Sequence, residues 1–173
     1  MNILSRLLSR SSSLVRRKKF QQRSFDCQAL ETRILPATMV SPFQVTYQDV
    51  DGDNVTVTFS NKILSQNNVN AIFKFNTGTV DGSNALKQQL QQINLAPFVS
   101  ADGTNITTVA TRTIRGGDGF AAVGEINATQ RDLGIVTIDG DLGRVLAGNA
   151  DTNSFGIRQL NVQSMGRFGR RSG

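Results

Sequence analysis

Histidine and tryptophan are absent from the 173-residue chain, cysteine and tyrosine occur once each, and proline occurs three times. The lack of His removes Ser-His-Asp and Cys-His nucleophilic sites, His-ligated metals and the usual general base near neutral pH. The lone Cys27 forbids an intrachain disulfide, and it lacks the neighbouring apolar stretch of a lipoprotein signal. No apolar run approaches the roughly 18 residues of a membrane-spanning helix, so none is expected. Apolar residues make up 38% and charged residues 18%, both low for a globular chain, whereas Gly reaches 16 positions. That profile suits a thin, turn-rich β structure better than a thick helical core.

Acidic side chains are scarce at the N-terminus, and this locates the net charge of +6. Arg6, Arg10, Arg16, Arg17, Lys18, Lys19, Arg23 and Arg33 face only Asp26 and Glu31, so residues 1–35 carry the whole excess. The stretch 36–166 holds 8 basic and 11 acidic residues and is mildly acidic. A nucleic-acid-binding domain needs a basic face on its folded body, so nucleic acid is not an expected partner.

Residues 1–40 read as a basic leader, disordered or helical, with Ile3, Leu4, Leu7, Leu8, Leu14 and Val15 at helical spacing. No apolar segment follows the positive stretch, so neither a standard secretory signal nor a twin-arginine signal at Arg16-Arg17 is matched. The Arg- and Ser-rich, acid-poor composition also fits a mitochondrial transit peptide, which would place the protein in the matrix of a eukaryotic host.

From residue 42 the texture becomes that of strands. Phe43–Tyr47 and Val55–Phe59 alternate apolar and polar residues and flank the turn formers of Gln48–Asn54, which predicts a β-hairpin. Ala71–Phe75 and Asn105–Thr111 are further strand candidates. Ser83 can cap a short helix that carries Leu86, Leu90 and Ile93 on one face, with Pro97 beyond its end. Residues 42–115 thus read as a small β-rich unit with one short helix. Gly116-Gly117-Asp118-Gly119 follows as a flexible joint; no Gly-Lys-Ser/Thr accompanies it, which excludes a phosphate loop.

Residues 120–169 carry an internal repeat. An apolar–Gly pair recurs at Val123-Gly124, Leu133-Gly134, Leu142-Gly143, Phe155-Gly156 and Met165-Gly166, each before a short strand-like stretch. Leu133 to Phe155 spans 22 residues and Leu142 to Met165 spans 23, a period suited to a short β-helix-like solenoid. An antiparallel meander is the alternative. Asp139-Gly140-Asp141 reads as a turn between coils rather than a catalytic carboxylate pair.

Asp49, Asp51 and Asp53 form the one cluster with metal-ligand character. Carboxylates at alternating positions around Gly52 resemble the start of a Ca²⁺ loop, where hard oxygens converge on one cation. Asn61 stands where an EF-hand would supply its bidentate Glu and a strand follows at once, so a structural hairpin turn is the first reading and Ca²⁺ ligation the alternative.

Leu30, Glu31, Arg33 and Leu35, within Leu30-Glu31-Thr32-Arg33-Ile34-Leu35-Pro36-Ala37, resemble the Leu-Glu-x-Arg-x-Leu leader motif of planctomycete extracellular and cell-surface proteins. Gly117–Phe120, Ile126–Thr129, Gly140–Arg144 and Ser164–Gly169 are similar to segments that recur in uncharacterised proteins of those bacteria. The resemblance implies export and sorting to the cell surface, with no assigned activity. The expected protein is therefore mainly β, non-enzymatic, and structural or adhesive. Its expected partners are cell-surface or matrix components or other protein subunits. A Ca²⁺- or carbohydrate-binding extracellular module is the alternative, and no other cofactor is implied.

Overall fold

Alternating apolar and polar residues become strands wherever one face of the backbone can be buried. In the computed structural model, residues 37–76, 89–114 and 116–167 are described. Leu30, Glu31, Arg33 and Leu35 of the sorting motif, and Ser83 and Leu86 of the expected helix, lie outside them.

Among the described residues nine strands form one sheet: β1 (Thr38–Ser41), β2 (Gln44–Gln48), β3 (Asn54–Phe59), β4 (Phe73–Asn76), β5 (Gln89–Asn94), β6 (Thr104–Thr111), β7 (Val123–Thr129), β8 (Leu133–Gly148) and β9 (Ile157–Met165). The predicted hairpin is β2–β3, antiparallel with Val45 opposite Val57 and Tyr47 opposite Val55. The path runs β1-β2-β3-β6-β8-β7-β5-β4, with β9 paired to β8. The ends of that path approach one another. Tyr47 of β2 meets Phe75 of β4 edge-on at 5.0 Å, and Phe59 of β3 lies 6.1 Å from Phe73 of β4. The sheet is thereby curled into a half-barrel. Val45, Val57, Ile93, Ile106, Ile126, Val136 and Leu142, which come from six strands, belong to one hydrophobic cluster of buried residues.

Strand β8 organises this arrangement. Ile138 pairs with Thr108 of β6 and Val162 of β9, and Leu142 pairs with Val123 of β7 and Met165 of β9. A strand has two edges, so β6 and β7 follow one another along one edge of β8 while β9 runs along the other. The stretches 42–115 and 120–169 contribute to the same sheet through the parallel pairs β5–β7 and β6–β8.

Two expectations are corrected. Leu90 and Ile93 lie on β5 rather than on a helix, and the α-helix among the described residues is α1, the single turn Val69–Ile72. The register of β4–β5 slips between Lys74 and Phe75, so Phe73 faces Ile93 while Phe75 faces Leu90. The resulting bulge places two inward residues three apart, which imitates helical spacing. Asp139-Gly140-Asp141 is likewise no turn; it lies inside the 16 residues of β8, where a register slip between Ile138 and Asp141 absorbs the irregularity. Gly140 is required there because a Cβ would stand 2.3 Å from the Ala121 carbonyl oxygen.

Val123, Leu142 and Met165, each the apolar member of an apolar–Gly pair, are cross-strand neighbours in the parallel run β7-β8-β9. Among the described residues these strands belong to a curled sheet, and the expected β-helix-like solenoid is not shown.

Candidate functional site

The β2–β3 turn is built by its own aspartates. Asp49 Oδ1 accepts the backbone N–H groups of Gly52 (3.1 Å) and Asp53 (2.8 Å), and the Asp49 N–H donates to the Asp53 carbonyl at 3.0 Å. This is the local side-chain-to-backbone bonding that makes Asp a turn former. Gly52, at φ 109°, takes a conformation that side chains disfavour.

The loop between β6 and β7 closes over that turn. The Asp118 N–H donates to Asp51 Oδ2 at 2.9 Å and the Gly119 N–H to Asp53 Oδ2 at 2.6 Å. Thr113 Oγ1 donates to the Gly52 carbonyl at 2.9 Å, and the Arg112 guanidinium donates to the Asp118 carbonyl. A Cβ at Gly117 (φ 109°) would sit 1.7 Å from Asp53 Oδ1, so this glycine is the floor on which the carboxylate rests. The Gly116–Gly119 stretch expected as a flexible joint is the upper jaw of a clasp.

Within the clasp, one carboxylate oxygen from each of Asp49, Asp51 and Asp53 lies within 4.8 Å of the others. Asp53 is fully buried, Asp49 is 8% exposed, and Asp51 is half-buried. Asp51 Oδ1 and Asp53 Oδ1 are buried without a hydrogen-bond partner. Burial, followed by the neighbouring Asp51, pushes the Asp49 carboxyl up to about 8. Burial also acts to raise Asp51, but the hydrogen bond with Asp49 and the N–H donor of Asp118 outweigh it and hold Asp51 below the usual range. Asp53 is raised, by burial first and by Asp51 and Asp118 after it, against the N–H of Gly119 and the charge of Arg112. Tyr47 beneath the turn is raised well above its ordinary value by burial and by Asp49. At neutral pH one proton is thus held mainly at Asp49 while Asp51 is ionised. Proton and cation are alternative means of relieving the same concentration of negative charge.

The three aspartates singled out from sequence are therefore brought together, and oxygen is the donor atom of the set, as hard cations such as Ca²⁺ require. Asn61 is not part of it; its Nδ2 donates to the Ser100 and Asp102 carbonyls. Asp139 and Asp141 do not form a pair either. The Asp139 carbonyl accepts the Ala121 N–H, while Asp141 Oδ1 accepts Ser164 Oγ (2.6 Å) and the Arg167 N–H (3.1 Å). Sequence reasoning missed the Gly116–Gly119 jaw, for which the only signal was the density of Gly around Asp118. It also missed Glu125, which is 4% exposed on β7, paired with Arg144 of β8, and receives Gln92 Nε2 at 2.8 Å.

No family model matches the chain, and no curated protein and no solved structure matches it. Among the described residues, no helix is long and apolar enough to cross a membrane.

Proposed function

We propose that the chain is a non-enzymatic, secreted or cell-surface β protein with a structural or adhesive role, whose clasp takes Ca²⁺. The observation that carries the cation is the pair of buried, unpartnered oxygens, Asp51 Oδ1 and Asp53 Oδ1, beside a third carboxylate. Such oxygens are costly to desolvate unless something positive meets them. The bound ion would tie the β2–β3 turn to the β6–β7 loop, a structural rather than catalytic task, since both Asp51 and Asp53 already bond across that joint. Extracellular Ca²⁺ modules work with dissociation constants of roughly 0.1–1 mM, which this partly backbone-satisfied set suits.

Isothermal calorimetry with Ca²⁺ on chelator-treated protein tests the site. Heat is expected from the wild type and none from Asp51→Ala; no heat from either removes the metal reading. The export reading rests on the resemblance of Leu30, Glu31, Arg33 and Leu35 to a sorting motif. Fractionation of the native host with N-terminal sequencing tests it. A mature protein beginning near Ala37 outside the cytoplasm supports it, whereas an intact Met1 in the cytoplasm overturns it. A reporter fused to residues 1–40 that enters mitochondria would move the address to the matrix.

A further inference from the structure

Among the described residues β9 pairs with β8 alone, leaving its second edge without a strand. It runs for 9 residues, against 4 each for β1 and β4 at the ends of the sheet path. Natural edge strands are blunted by Lys, Pro, bulges or shortness. None of these occurs in Ile157-Arg158-Gln159-Leu160-Asn161-Val162-Gln163-Ser164-Met165, whose one charge is Arg158.

The direction of its free backbone groups follows from the pairing. The Leu133 N–H donates to the Gly156 carbonyl, and the Gly166 N–H donates to the Leu142 carbonyl. In a strand, the N–H and C=O of one residue point to the same edge, and successive residues alternate. Even-numbered residues of β9 therefore bond to β8, and odd-numbered residues present their N–H and C=O outward.

The sequence of β9 is symmetrical in chemistry about Asn161. Ile157 and Met165 lie four residues to either side, Gln159 and Gln163 two, and Leu160 and Val162 one. We infer that β9 is the seam of a homodimer, formed when a second copy of this chain adds its own β9 antiparallel across a two-fold axis at Asn161. Asn161 then faces the partner's Asn161, and Gln159 faces the partner's Gln163. Ile157 faces the partner's Met165, and Leu160 faces the partner's Val162. All the hydrogen-bonded positions are odd-numbered residues, whose backbone groups point outward. Apolar residues meet apolar ones, amides meet amides, and Arg158 stands opposite Ser164, so no like charges are juxtaposed. Leu160 and Val162 are only half-buried against the core, and a partner strand extends their cover. An isologous, self-complementary patch is what two-fold pairing requires. The inference is independent of the cation reading.

A single-strand seam lies at the small end of stable interfaces, about 1,200 Å² in total, and a weak, concentration-dependent dimer is expected. Sedimentation equilibrium of the full chain from about 5 to 500 µM, with chelator and with Ca²⁺, measures it. The wild type is expected to pass from monomer to dimer over that range. Gln159→Lys with Gln163→Lys opposes like charges twice across the axis, and at least a tenfold weakening is expected. Gln159→Lys with Gln163→Glu opposes unlike charges in the same register and is expected to restore the dimer. Both positions are exposed, so melting temperatures of the monomers should match the wild type. A wild type that stays monomeric to about 500 µM overturns the seam. So does a Lys/Lys variant that dimerises unchanged, or a Lys/Glu variant that fails to recover.

Discussion

Replacing Asp49 by Asn tests the electrostatics of the clasp most directly. The Asn side chain keeps the oxygen that accepts the Gly52 and Asp53 N–H groups, and its amide can donate toward Asp51 where the wild-type proton sits. The folded-state pKa of Asp49 is about 8, against an unfolded value of 3.8, so the folded protein holds its proton more tightly. Its contribution to stability is complete below about pH 4 and is lost as pH rises through about 8. A shift of about four units corresponds to an upper bound near 6 kcal/mol. Water reaching the turn and sharing of the proton with Asp51 reduce this to roughly 1–3 kcal/mol. In a chain of this size that is about 3–10 °C in melting temperature. With chelator present, Asp49→Asn should therefore melt close to wild type at pH 5 and higher than wild type at pH 9. Ca²⁺ should narrow the gap at pH 9 by stabilising the wild type more, since only the wild type offers a third charged carboxylate. A difference between the two proteins that stays constant from pH 5 to pH 9 refutes the reasoning.

Gly117→Ala combines a strained φ with a Cβ driven into the Asp53 carboxylate, and a loss of about 2–4 kcal/mol in denaturant unfolding is expected. The same variant should abolish Ca²⁺ heat even where it still folds. Arg144→Ala removes the cation paired with the buried Glu125 carboxylate but leaves the Gln92 hydrogen bond; because Arg144 is 39% exposed, the loss is expected to be only about 1–3 kcal/mol. Adding Glu125→Gln to that variant should recover part of the loss, and a further drop instead would show that Arg144 acts through packing alone.

The parts of the fold legible in the sequence are those where the two-residue period runs unbroken. Val55, Val57 and Phe59 alternate with Thr56 and Thr58, and the hairpin they predicted is present with its turn in place. The period failed where a bulge intervened. Leu90 and Ile93 are separated by an extra residue that belongs to strand pairing, a tertiary event no local pattern records. The same holds for Gly140, which looks like a turn former but serves a close approach to Ala121, remote in sequence. At the clasp, Asp49, Asp51 and Asp53 were visible because a local loop gathers them. Their partners Asp118 and Gly119 were not, since more than sixty residues separate the two jaws.

Strand β8 also sets the order in which the chain can be completed. Strand β6 has β3 on one side and needs β8 on the other; β5 needs β7, and β7 in turn needs β8. While the chain is being synthesised, the β2–β3 hairpin and β6 can pair, but their sheet keeps an open side until Leu133–Gly148 has left the ribosome. Closure then depends on parallel pairings between distant segments, which form slowly, on the scale of milliseconds to seconds for such topologies. Completion of the sheet accordingly waits on β8. A nascent chain halted before β8 would expose the flank of β6 to whatever strand is nearest.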